Sequence, residues 1–91
     1  MWMALADIAS DLNLSASFQG DESMVIVNGS FLGTLETSQR LVQYLTFKGY
    51  TQSGLERSTN SQGAVFTDDA QRSLGVTIRW GNEVHVERKR R

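Results

Sequence analysis

The sequence predicts an α+β fold: an N-terminal helix, an antiparallel three-stranded meander, a central helix, then three to four further antiparallel strands, within one small domain over residues 1–91. Three observations predict it. Apolar residues recur at helical spacing near the N-terminus and again over Leu35 to Lys48. Short apolar runs bounded by Gly, Asn, Asp and Ser fill the remainder. Asn28-Gly29 and Gly81-Asn82 mark tight reversals between such runs.

In the first element, Leu5, Ile8, Ala9 and Leu12 lie on one helical face, Asp7 and Asp11 lie off it, and Asn13 is a stop signal. Ser15 to Leu32 then reads as the meander. A three-residue loop at Gly20-Asp21-Glu22 sets Phe18 opposite Met24 and Ala16 opposite Ile26. A two-residue type I′ turn at Asn28-Gly29 sets Ile26 opposite Phe31 and Val25 opposite Leu32. Both registers gather Phe18, Met24, Ile26 and Phe31 on one face, and a one-residue slip would turn that set outward. Met24 to Val27 is apolar on both faces and is the expected centre of the meander.

Thr34 is a cap for the central helix, with Glu36 in its first turn, where the helix dipole favours an acid. Leu41, Val42 and Leu45 form the inward stripe, with Ser38 beside them; Gly49 ends the helix and Tyr50 folds back onto its last turn. Phe47 falls away from that stripe, near Arg40, with Tyr44 at the stripe's edge. Thr51 to Arg57 and Ala64 to Thr67 read as strands around a polar loop at residues 58–63, and Asp68-Asp69 begins a turn. Gly75 to Trp80 and Val84 to Arg88 form a final hairpin. A two-residue Gly-Asn turn would set Ile78 against His85. A three-residue loop over Gly81 to Glu83 pairs Trp80 with Val84 and Ile78 with Val86, and burial of one apolar face favours it. The outer face then carries Thr77, Arg79, His85 and Glu87.

Hydrophobic residues make up 40% of the chain, which excludes disorder by composition, and no apolar run approaches the roughly 20 residues of a membrane-spanning helix. There is no Cys, hence no disulfide and no thiol nucleophile, and the start has no secretory pattern, so a cytoplasmic location is expected. Charge is uneven. Residues 1–36 carry five carboxylates and no Lys or Arg, whereas residues 37–91 carry nine cations and five carboxylates. Four of the cations, Arg88, Lys89, Arg90 and Arg91, end the sequence.

Little in the chain carries chemistry. His85 is the only histidine and has no ligand partners at metal spacing. Asp68-Asp69 suits an Asx turn better than a pair of carboxylates facing across a cleft. The glycines form neither a phosphate loop nor a dinucleotide fingerprint. The expectation is a protein that is not an enzyme and needs no metal or cofactor.

Two stretches bear on DNA binding. Leu5 to Ser15 resembles the first helix and turn of a bacterial helix-turn-helix, but a strand-like Met24-Val25-Ile26-Val27 without a basic residue follows where the recognition helix would lie. Leu41 to Tyr50, followed by two candidate strands, is similar in outline to the recognition helix and wing of winged-helix repressors, with only Arg40 and Lys48 basic on that helix. The leading expectation is therefore a protein-interaction module, such as a small regulator, inhibitor or assembly subunit, using Arg40, Tyr44 and Phe47, because aromatic and Arg side chains anchor interfaces. Packing of Tyr44 and Phe47 on the first helix or on a strand is the competing expectation. The alternative function is nucleic-acid binding through Arg79, Arg88, Lys89, Arg90 and Arg91. Homodimer formation through an uncovered sheet edge is a third, since no Pro protects the strands.

Overall fold

The computed structural model describes residues 3–89. Helix α1 (Leu5–Asp11) leads into strands β1 (Ser17–Gln19) and β2 (Ser23–Val27); helix α2 (Phe31–Phe47) follows, then β3 (Thr51–Ser58), β4 (Ser61–Thr67), β5 (Ser73–Arg79) and β6 (Glu83–Lys89). The strands form one antiparallel sheet in the order β1-β2-β6-β5-β4-β3. The architecture is α+β and mostly sheet.

The register stacks alternate residues into two unlike faces. Met24, Val86, Val76 and Ala64 form one row across four strands, and Ile26, Val84 and Ile78 form the next. All of these except the half-buried Ile78 share a core with Leu5, Ile8 and Ala9 of α1 and Leu41 and Leu45 of α2. Both helices therefore cover the same face, and the other face has no helix upon it. α2 lies over β5 and β6.

The meander has two strands rather than three. Phe18 opposes Met24 as the spacing requires, but Asn28-Gly29 does not reverse the chain into a third strand. The far side of β2 is taken by β6, with Val25 opposite His85 and Ile26 opposite Val84. Phe31 and Leu32 instead open α2. Ser30, not Thr34, is its cap: the Ser30 Oγ accepts from the Gly33 N–H at 3.0 Å. The Thr34 hydroxyl donates to the Ser30 carbonyl at 2.8 Å, and Thr34 is fully buried. The Thr37 hydroxyl donates to Asn28 Oδ1, which anchors the loop to the helix it precedes. Glu36, placed in the first turn by the sequence, sits a turn further in.

The C-terminal end of α2 is the one the sequence describes. Gly49 has φ +96°, and the N–H groups of Gly49 and Tyr50 donate to the carbonyls of Thr46 and Leu45. This doubly bonded reversal needs the left-handed backbone that glycine adopts without a Cβ penalty. Tyr50 is 5% exposed and belongs to the core.

The final hairpin keeps the expected faces in a different register. Ile78 opposes Val84 and Val76 opposes Val86, so the pairing is displaced by two residues and Trp80 lies in the turn. A two-residue displacement preserves the side-chain alternation, which is why Thr77, Arg79, His85 and Glu87 still share the helix-free face. Leu5 to Asp11 is followed by β1 and not by a second helix, so the helix-turn-helix outline ends at Ser15. No helix among the described residues is long and apolar enough to cross a membrane.

Candidate functional site

The three residues expected at a protein interface share one side of α2 but have different surroundings. Arg40 Nη2 donates to the Leu12 carbonyl at the end of α1. The Tyr44 hydroxyl donates to Asp11 Oδ2. Burial, the hydrogen bond to Asp11 and the charges of Asp11 and Asp7 push the Tyr44 hydroxyl up to about 12, so it stays a donor throughout the neutral range. Arg40 and Tyr44 thus brace α1 against α2. Phe47 is 83% exposed, and its ring and that of Tyr44 lie 5.8 Å and 5.5 Å from the Lys48 ammonium.

The basic residues considered for nucleic acid are engaged in ion pairs where the structure describes them. Arg79 pairs with Glu87, and Lys89 Nζ lies 2.8 Å from Glu56 Oε2. Arg88 pairs with Asp21 at 2.7 Å and also donates to the Met3 carbonyl at 2.6 Å, tying the segment before α1 to the β1–β2 turn. Arg90 and Arg91 lie outside the described residues.

His85 Nε2 sits 2.8 Å from Glu83 Oε1, with its ring edge-on to Trp80 at 6.3 Å. Asp68 makes an Asx-type loop: its Oδ1 accepts from the Ala70 and Arg72 N–H groups, each at 2.9 Å, and its Oδ2 pairs with Arg72 Nε at 3.1 Å. No group of three or more His, Cys, Asp or Glu able to hold a metal occurs among the described residues.

The concave surface lies elsewhere, on the helix-bearing side. Because α2 sits over β5 and β6, strands β3 and β4 extend beyond it and leave a groove against the helix. Its deeper part, about 340 Å³, is bounded by Leu35 and Val42 of α2 and by Leu55, Ala64 and Ile78 of the sheet. It continues past Leu35, Arg57, Gln62 and Ile78 into a wider mouth of about 540 Å³, where Phe31 and Trp80 stand with Asn60. Phe31 is 57%, Trp80 62% and Leu55 78% exposed, although each is large and apolar.

Trp80 is held there at a backbone cost. Its φ is +55°, and that of Gly81 is +75°. Two consecutive positive φ values are the property of a hairpin turn suited to Asn-Gly; a bulky aromatic at the first position is an outlier. The Trp80 N–H donates to the Asn60 carbonyl at 3.0 Å, linking the β5–β6 and β3–β4 turns at the groove mouth. Sequence reasoning missed this site because it put Phe31 and Trp80 in strands. The available signal was Trp80 directly before Gly81-Asn82, which admits a turn beginning one residue earlier.

The helix-free face is mostly polar. Side chains of β3 and β6 lie across Gly75, and at Gly63 the backbone of β5 comes close. A Cβ on Gly75 would come within 2.5 Å of Lys89 Cε and 2.8 Å of Glu56 Oε1. A Cβ on Gly63 would come within 2.0 Å of the Val76 carbonyl oxygen. Beside them is a depression of about 360 Å³, bordered by Glu56, Ser58, Ser61, Thr77, Arg79 and Lys89. No protein-family model matches the chain, and no curated protein or solved structure is significantly similar to it.

Proposed function

We propose that the protein is a non-enzymatic interaction module that binds another protein through the groove between α2 and strands β3–β4. The partner presents apolar side chains to the mouth formed by Phe31 and Trp80. The observation that carries this reading is Trp80: a large, mostly exposed aromatic kept in a left-handed backbone conformation at the mouth of a groove whose deeper part is mainly apolar. Strained residues of this kind persist where the surrounding structure or a function requires them. Exposed aromatics at a pocket are the usual centres of binding energy. Phe47, at the opposite end of α2, is a second contact only if the partner follows the helix along its length. The nucleic-acid reading has less support, since Arg79, Arg88 and Lys89 are spent on neighbouring carboxylates or carbonyls.

The test is Trp80→Asn. Asn-Gly is the preferred pair for a turn with two positive φ values, so relief of strain offsets the lost packing, and the melting temperature should be unchanged or higher. Partner affinity should fall at least about thirtyfold, corresponding to roughly 2 kcal/mol for a central aromatic anchor. Capture by tagged wild-type and variant protein, with and without nuclease, reads both points. Equal capture by the variant would remove the groove from consideration, and capture that disappears with nuclease would transfer the assignment to nucleic acid.

A further inference from the structure

A separate site lies on the helix-free face. Among the described residues, four buried side-chain atoms have no hydrogen-bond partner: Asn28 Nδ2, Glu56 Oε1, Thr77 Oγ1 and Arg79 Nε. The last three belong to residues that border the same depression. Buried polar groups are nearly always paired, and an unpaired one costs free energy that a same-shaped apolar side chain would avoid. Three residues that each hold such an atom border one depression, which makes it a candidate ligand site.

Register and side-chain chemistry limit what that ligand is. Thr77 and Glu56 flank Gly63 in one row across β5, β4 and β3, and Arg79 is the next residue of β5 on the same face. Thr77 is only 5% exposed. Arg79 Nε can only donate, and Glu56 Oε1, as a carboxylate oxygen, can only accept; the Thr77 hydroxyl can do either. The Lys89 cation on the same border favours an anion beside Arg79. A ligand must therefore bring an anionic oxygen for Arg79 and, beside it, a donor for Glu56.

We propose that this depression binds a small carboxylic acid bearing a hydroxyl or amino group next to its carboxylate. The carboxylate accepts from Arg79 Nε and the Thr77 hydroxyl, and the neighbouring hydroxyl or ammonium group donates to Glu56 Oε1. Entry requires the Lys89–Glu56 pair to part. Their side chains are 33% and 32% exposed, and ion pairs this open to solvent are weakly held. Lys89 acts as the latch, and its ammonium can turn to the bound carboxylate once Glu56 has a new donor. The glycine floor has a purpose in this arrangement: a methyl group on Gly75 would occupy the place of the Lys89 stem and of Glu56 Oε1.

The experiment is a titration of ¹⁵N-labelled protein with glycolate and with glycine, alongside acetate, which lacks the donor, and ethylene glycol, which lacks the carboxylate. Glycolate or glycine should give saturable shifts centred on the amides of Glu56, Gly63, Gly75, Thr77 and Arg79. Acetate should bind at least about tenfold more weakly, having no donor for Glu56, and ethylene glycol should not bind. Thr77→Val keeps the side-chain shape and removes an orphan hydroxyl, so it should weaken binding about tenfold while leaving the melting temperature equal or higher. Arg79→Lys, which retains a cation for Glu87 but has no Nε donor, should weaken binding as well. The proposal is overturned if neither probe saturates, as when a trapped water alone satisfies the three atoms. An equal response to acetate, or unchanged binding by both variants, would also overturn it.

Discussion

Gly63→Ala should be among the most damaging single-methyl additions in the sheet, lowering stability by about 2–3 kcal/mol and the melting temperature by roughly 10–20 °C. The new Cβ would lie 2.0 Å from the Val76 carbonyl oxygen and 2.6 Å from Thr77 Cα. Both are backbone atoms of β5, and β5 is held on its other side by β6. Neither strand can give way without disturbing a ladder. Gly75→Ala supplies the control. Its nearest obstacles are Lys89 Cε and Glu56 Oε1, the ends of flexible side chains, so its cost should be below about 1 kcal/mol, mostly the lost ion pair. Chemical denaturation of the two variants checks the contrast. Similar losses would show that obstruction by β5 backbone is not what sets the cost at Gly63.

Asp68→Ala should cost about 2–3 kcal/mol, and its effect should depend on pH. The carboxylate is buried, with its residue 6% exposed, and it accepts hydrogen bonds from two backbone N–H groups and the Arg72 guanidinium. Burial pushes its pKa up, but the Arg72 and Ala70 N–H groups and the Arg72 charge outweigh that, and the net position is below the ordinary 3.8. A carboxyl more acidic in the folded state than in the unfolded state stabilises the fold fully above the unfolded value. That contribution is lost as the pH falls through the unfolded value toward the folded one. The wild type should therefore lose stability on acidification below about pH 4 more steeply than Asp68→Ala, and the two curves should converge. Urea midpoints measured from neutral pH downward would show this; parallel curves would mean that Asp68 titrates alike in both states.

The parts of the fold legible in the sequence are those with a clear period and a local stop. The apolar positions of α1, the inner stripe of α2 and the Gly49-Tyr50 reversal all follow from spacing, because each is fixed by neighbours within a turn or two. The division of β5 and β6 into inner and outer residues was legible for the same reason. Its register was not, since a two-residue displacement leaves every side chain on its own face and alternation cannot detect it. The third meander strand failed at Ser30. Asn28-Gly29 followed by Phe31-Leu32 has the composition of a hairpin, but a serine cap and a distant strand, β6, compete with it, and only the second can satisfy the inner edge of β2 along its length. That competition lies between residues remote in sequence. The groove was hidden by the same errors, because Phe31 and Trp80 were assigned to strands and Leu55 alternates with polar neighbours in an ordinary way. The pairing of Arg79, Arg88 and Lys89 with acids on other elements could not be read from a charge count.

The strand order has a consequence for synthesis. β2 has β1 on one side and β6 on the other, and β6 is the last strand of the sheet to be made. While the chain is emerging from the ribosome, the β1–β2 hairpin and the β3–β5 meander are both present but share no hydrogen-bonded edge. Residues 83–89 close the gap between them, and until they arrive the apolar inner face of β2, Met24 and Ile26, lacks Val84 and Val86 as neighbours. Until β6 is made, one edge of β2 and one edge of β5 both stay unpaired.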